Sequence, residues 1–137
     1  MSPNLRPIRR DLKVSHQVFP ELRAFVVTLN AEATGRHLAQ SLCALFESQR
    51  ELAGYDLIEN LTAFSGEASQ ADVQTIADCY VERMVGDGAT KYTVIATPDE
   101  NYRFWVAAMD HFYPDRRHLV APTLETAWAK LNELRGR

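Results

Sequence analysis

Along this chain the spacing of apolar residues switches several times between a period of two and a period near 3.6, and each switch marks an element. From Lys13 to Phe19 apolar and polar residues alternate, with Val14, His16 and Val18 on one side, which predicts a strand. Phe19-Pro20-Glu21-Leu22 reads as a turn, because proline presets one turn dihedral and cannot donate to a ladder. Arg23 to Leu29, rich in Phe and Val, is a second strand, and the two predict an antiparallel hairpin. Thr34 is then an N-cap. Leu38, Leu42, Leu45 and Phe46 follow at helical spacing to about Glu51, and Gly54 ends that helix.

Leu57 to Leu61 is a short buried strand. Ser69 opens a second helix, in which Val73, Ile76, Ala77, Tyr80, Val81 and Met84 hold one face until Gly86 and Gly88 stop it. Tyr92 to Thr97 is a β-branched central strand. Pro98-Asp99 begins a third helix with Tyr102, Trp105, Val106, Met109 and Phe112 inward and Pro114 beyond its end. Arg117 to Ala121 is the last strand. Thr123 caps a final helix whose inner face is Leu124, Ala127, Trp128, Leu131 and Leu134. The order β-β-α-β-α-β-α-β-α implies an α/β fold, a mixed but mostly parallel sheet flanked by helices. Residues 1–10, polar and carrying Pro3 and Pro7, read as a loosely ordered lead-in, and residues 11–137 as a single domain.

Composition narrows the function classes. A formal charge of −3 opposes a role built on nucleic-acid phosphates, and the Arg6, Arg9 and Arg10 group reads as solvated. No apolar run approaches the roughly 20 residues that span a bilayer, and the N-terminus lacks a signal-peptide core, so a cytoplasmic location is expected. Cys43 and Cys79 form no C-x-x-C and sit in different helices. They are expected as small buried hydrophobes, joined only if their helices adjoin.

Catalytic and metal signatures are missing. His16, His37, His111 and His118 have no metal-ligand spacing, and no cofactor motif is present. His111 and His118, with Asp110 and Asp115, read as a charged surface corner around "FYPDRR". Asp56 and Glu59, three apart on a strand, face opposite sides and form no catalytic dyad. No G-x-S-x-G elbow presents a nucleophile, and "GDG" at Gly86 to Gly88 is a turn. The chain is therefore expected not to be an enzyme. Among the aromatics, Trp105, Met109 and Phe112 read as a core stripe, while Phe104 falls off it. Phe104 and Trp105 are the candidate pocket or surface aromatics.

Three stretches carry a resemblance: "AFVVTLNAEATGRHL", a strand running into a Thr-capped helix; "GYDLIENLTA", with Asn60 where an Asp is usual; and "LVAPTLETAWAKL". Together with the element order they resemble the STAS fold of anti-sigma-factor antagonists, and more closely the small bacterial SpoIIAA-like, or STAS/SEC14-like, proteins. The D-S-S-G-type motif that a kinase modifies in those antagonists is absent; the local text is "SGEASQAD". The resemblance implies a non-catalytic regulatory module that binds a protein partner or a second copy of itself, through Ser65, Gly66, Glu67, Ser69 and Gln70. The alternative that it implies is a carrier or sensor of an apolar small molecule held between the sheet and the third helix. Ser69 itself, with Asp72 three residues on, reads first as a helix cap and only second as a phosphate acceptor.

Overall fold

The computed structural model describes residues 13–66 and 68–136; Glu67 and the segment 1–10 lie outside the described residues. Five strands form one mixed sheet in sequential order: β1 (Val14–Phe19), β2 (Ala24–Leu29), β3 (Asp56–Asn60), β4 (Lys91–Ala96) and β5 (Arg116–Ala121). The first two pair antiparallel around a 3-10 turn at Pro20–Leu22, and the rest pair parallel. Arg23 closes that turn in the left-handed region, at φ 50°. Each parallel step needs a crossover, which α1 (Gly35–Ser48), α2 (Gln70–Arg83) and α3 (Tyr102–Asp110) supply; α4 (Leu124–Gly136) follows β5.

The strand alternation sorts the core into two layers. Phe25, Val27, Leu29, Leu57, Leu61 and Ile95 face α1, α2 and α3 and meet Leu38, Leu42, Phe46, Val73, Ile76 and Tyr80. Ala24, Val26, Ile58, Val94 and Ala96 face the other way, onto Ala127 and Leu131 of α4. Phe25, Leu42 and Leu52 are fully buried, each worth about 1.5–3 kcal/mol against exposure.

Local capping sets where the helices begin. Thr34 caps α1, accepting from the His37 N–H at 3.2 Å, while His37 Nδ1 accepts the Thr34 N–H at 2.9 Å. Ser69 and Asp72 form the same reciprocal box at α2, both bonds 3.1 Å long. Thr123 and Thr126 do so before α4. The first helix ends at Ser48, and a 3-10 turn at Arg50–Gly54 carries the chain onward, where the sequence suggested one helix to about Glu51. The third helix starts at Tyr102, later than Pro98-Asp99 suggested. Thr97 Oγ1 and Asp99 Oδ1 take the N–H groups of Asp99 and Asn101 into a turn first.

Three expectations are corrected. Cys43 and Cys79 are a disulfide that joins α1 to α2, with their Cα atoms 5.5 Å apart. The helices adjoin, so the geometric condition is met, and closing 36 residues stabilises the fold by about 2–4 kcal/mol. Disulfides persist in oxidising compartments and are reduced in the cytoplasm, so the pair stands in tension with a cytoplasmic location. Trp105 is 37% exposed rather than core, because α3 lies over β5 at the sheet's margin and buries only Met109 fully. His118 is buried, not part of a surface corner: at the third position of β5 it points under α3.

Candidate functional site

Polar residues inside the three-helix layer fall into two groups along the strands. At the strand starts, Arg116 is 3% exposed and its guanidinium is surrounded. It donates to Tyr55 O at 2.8 Å, Tyr92 O and Thr93 Oγ1 at 3.1 Å, and Ala53 O at 3.3 Å, and it stacks over Tyr80 at 4.7 Å. Beside it, Lys91 reaches Asp87 at 2.5 Å and Asp115 at 3.3 Å. Tyr80 donates to Asp115 at 2.6 Å, and burial pushes its hydroxyl up to about 12. This end is a structural polar network, matched almost group for group.

The second group lies further along the same face. Glu59 occupies the fourth position of the central strand β3, with Val27 and Ile95 on either side in the register. Alternation turns it toward the three helices and Asp56 toward α4, where Asp56 meets Arg135 at 3.2 Å. Glu59 lines a small cavity of about 30 Å³, walled by Leu38, Leu61, Phe64, Val73 and Ile76 and shared with Tyr113 and His118. Burial pushes the Glu59 carboxyl up to about 7, against the opposing pull of the Arg116 charge. Burial likewise holds the His118 imidazole down at about 4, against the pull of Asp110.

His118 Nδ1 lies 2.9 Å from Asp110 Oδ1, which also accepts the His118 backbone N–H at 2.7 Å. A neutral imidazole so held donates from Nδ1 and leaves Nε2 as an acceptor. The Tyr113 ring lies 4.5 Å from the His118 ring, and burial raises its hydroxyl, with the Glu59 charge adding to that. Among the described residues, the Glu59 carboxyl, the Tyr113 hydroxyl and His118 Nε2 have no hydrogen-bond partner, yet none is sealed from the cavity as Arg116 Nε is sealed in protein.

Ala68, Val73, Tyr102 and Met109 wall this cavity and also a larger outer cleft of about 350 Å³. The outer cleft is completed by Gly66, Asp99, Asn101, Phe104 and Trp105. It lies beyond the carboxyl ends of β3 and β4, where open parallel sheets take ligands. Its volume falls within the range of small-molecule sites.

The predicted site residues divide accordingly. Phe104, 82% exposed, and Trp105 line the outer cleft, as does Gly66. Ser65 donates to Ala31 O at 3.4 Å, Ser69 is engaged in its cap, Gln70 is exposed at the first turn of α2, and Glu67 lies outside the described residues. Sequence reasoning missed Glu59, Tyr113 and His118. A signal for Glu59 was present: a carboxylate inside "LIENL", a strand covered on both faces, is an anomaly that asks for a partner.

Among the described residues no group of three or more His, Cys, Asp or Glu is placed to hold a metal ion, and no helix is long and apolar enough to cross a membrane. The chain is an α/β protein with a five-stranded mixed sheet and four flanking helices, and no family model, curated protein or solved structure matches it.

Proposed function

We propose that this chain is a non-catalytic, STAS-like binding module that takes a small, largely apolar molecule between the sheet and α3. Of the two expectations drawn from the sequence, the small-molecule one gains the stronger support. The observation that carries it is a set of three polar side chains, Glu59, Tyr113 and His118, gathered at one apolar cavity with polar groups that no protein hydrogen bond takes up. These groups face the cavity rather than protein, so a ligand that enters it can make the hydrogen bonds they lack, each worth about 0.5–1.5 kcal/mol net. A ligand with one polar end and an apolar body would satisfy them and fill the outer cleft. The likeness to SpoIIAA-like proteins rests on the sequence stretches "GYDLIENLTA" and "LVAPTLETAWAKL" and on the element order.

A second reading, docking of a protein partner, has its own observation: Phe104 and Trp105 stand exposed together at the lip of the cleft, near Gly66. The two are compatible if a filled cleft presents a different lip to a partner. A fragment library screened by protein-observed NMR tests the first reading. Shifts should concentrate at Tyr102, Trp105 and Met109 and vanish in Ala68→Trp, which plugs the wall common to both spaces. A library that leaves those resonances unmoved would overturn it.

A further inference from the structure

The two adjoining spaces share a chemical bias beyond being apolar. Among the described residues neither is lined by Lys or Arg, while Asp99 lines the outer cleft and Glu59 the inner cavity. The inner floor consists of acceptors. Glu59 offers carboxylate oxygens, His118 offers Nε2 because Nδ1 is held by Asp110, and Tyr113 offers its phenolic oxygen. At about 30 Å³ the floor has room for one water-sized group and no more. Around and above it stand the rings of Phe64, Tyr102, Phe104 and Trp105, whose faces attract cations.

Resting on the small-molecule reading above, we infer that the ligand is an organic amine, its ammonium seated among Glu59, Tyr113 and His118 and its apolar body in the outer cleft. Three N–H donors meet three acceptors, and the positive charge meets the unpaired Glu59 carboxylate. A carboxylic acid or phosphate there would face Glu59 and Asp99 with no cationic side chain among the described lining residues. A neutral alcohol would satisfy at most part of the floor.

Amine binding takes up the charged form of Glu59, so it is coupled to proton release. The titratable groups around Glu59 are few. Arg116 favours its carboxylate, burial raises the hydroxyls of Tyr113 and Tyr80 so that both stay neutral near pH 7, and His118 is kept neutral by burial. From β2, β4, α1 and α2 the near neighbours are the apolar Val27, Ile95, Leu38 and Ile76. With the carboxyl near 7, the binding-competent fraction rises about tenfold between pH 6 and pH 8.

The test is calorimetric titration of the intact protein with three matched probes, 1-hexylamine, 1-hexanol and hexanoate, at both pH values. Hexylamine should bind tightest at pH 8, lose about tenfold at pH 6, and release protons to the buffer at pH 7. Glu59→Gln, which removes a buried charge and so should fold well, should abolish both the amine preference and the pH dependence. Asp99→Asn, on the exposed lip, should weaken hexylamine equally at both pH values. Hexanol binding as well as hexylamine, or an amine affinity indifferent to Glu59→Gln, would overturn the amine assignment while leaving the binding module standing. Absence of saturable binding by all three probes would overturn both.

Discussion

The two ends of one sheet face spend their buried polar groups differently. At the strand starts, Arg116 serves three backbone carbonyls and one hydroxyl and rests on Tyr80, while Lys91, Asp87, Asp115 and the Tyr80 hydroxyl close on one another. Further along, Glu59, Tyr113 and His118 share a cavity and leave polar atoms open to it. Arg116, Tyr113 and His118 are similarly buried, at 3%, 8% and 7% exposure, and Glu59 is half-buried, so depth alone does not separate the two ends. The difference is what the polar groups face: at the strand starts they close on protein, although Arg116 Nε is left unpaired, and further along they face a cavity. A matched network holds the fold, and an unmatched one against a cavity is a place prepared for something else.

The comparison breaks most visibly at Arg116. Arg116→Met should cost about 3–5 kcal/mol in urea denaturation, because it orphans the carbonyls of Ala53, Tyr55 and Tyr92 and removes the charge over Tyr80. The corresponding change at the other end, Glu59→Gln, should not destabilise at all. If Arg116→Met proves harmless, the strand-start cluster is not a structural network and the contrast between the ends collapses.

How much of this was legible in the sequence follows the range of the interactions. Period, turn and cap residues are local, so the hairpin, all five strands, the Thr34, Ser69 and Thr123 caps and the mixed sheet could be read directly. The Cys43–Cys79 bond depends on which turns of α1 and α2 face each other, 36 residues apart, and no local pattern encodes that. Trp105 failed for a related reason: helical spacing identifies a stripe but not how far a sheet extends beneath it, and at β5 the sheet ends. His118 looked like surface because "FYPDRR" is polar, yet strand alternation from Arg116 turns both inward. The site was half visible. Phe104, Trp105 and Gly66 at its mouth were named, while its floor draws on β3, β5 and the segment before β5, which only the fold brings together.

Next in size is the pH dependence of stability at the unmatched end. The Glu59 carboxyl sits at about 7 in the fold against 4.5 when free, so the folded chain holds a proton there that the unfolded chain has lost. Its contribution is therefore complete below pH 4.5 and is lost as pH rises to about 7, a total of up to about 3 kcal/mol. His118 runs the opposite way. Its imidazole, held at about 4 against 6.5, contributes stability above pH 6.5 that is lost as pH falls toward 4. Between pH 4.5 and 6.5 the two slopes offset. In Glu59→Gln only the His118 slope remains, so denaturation midpoints should climb from pH 4.5 to 6.5 and the variant should exceed the parent at pH 8. Parallel curves for parent and variant would show that Glu59 ionises as a solvated carboxylate and is no part of a buried floor.

The smallest expected effect sharpens the boundary of the site. Ser69 stands next to Ala68, which walls both the inner cavity and the outer cleft, yet its own hydroxyl is occupied by the Asp72 N–H. Ser69→Ala opens one helical N–H and leaves the Asp72 carboxylate its bond to the Ser69 N–H. The loss should be about 1 kcal/mol of stability, with the affinity for 1-hexylamine unchanged. A serine that acted at the site would show the reverse, a full-strength fold with altered binding. The same geometry bears on phosphorylation: a phosphate on Ser69 would displace the Asp72 bond and stand against that carboxylate. A cap of this kind is worth keeping for the helix it starts, and α2 carries Val73 and Ile76 into the cavity wall. Ser69 thus reaches the site only through the helix it begins.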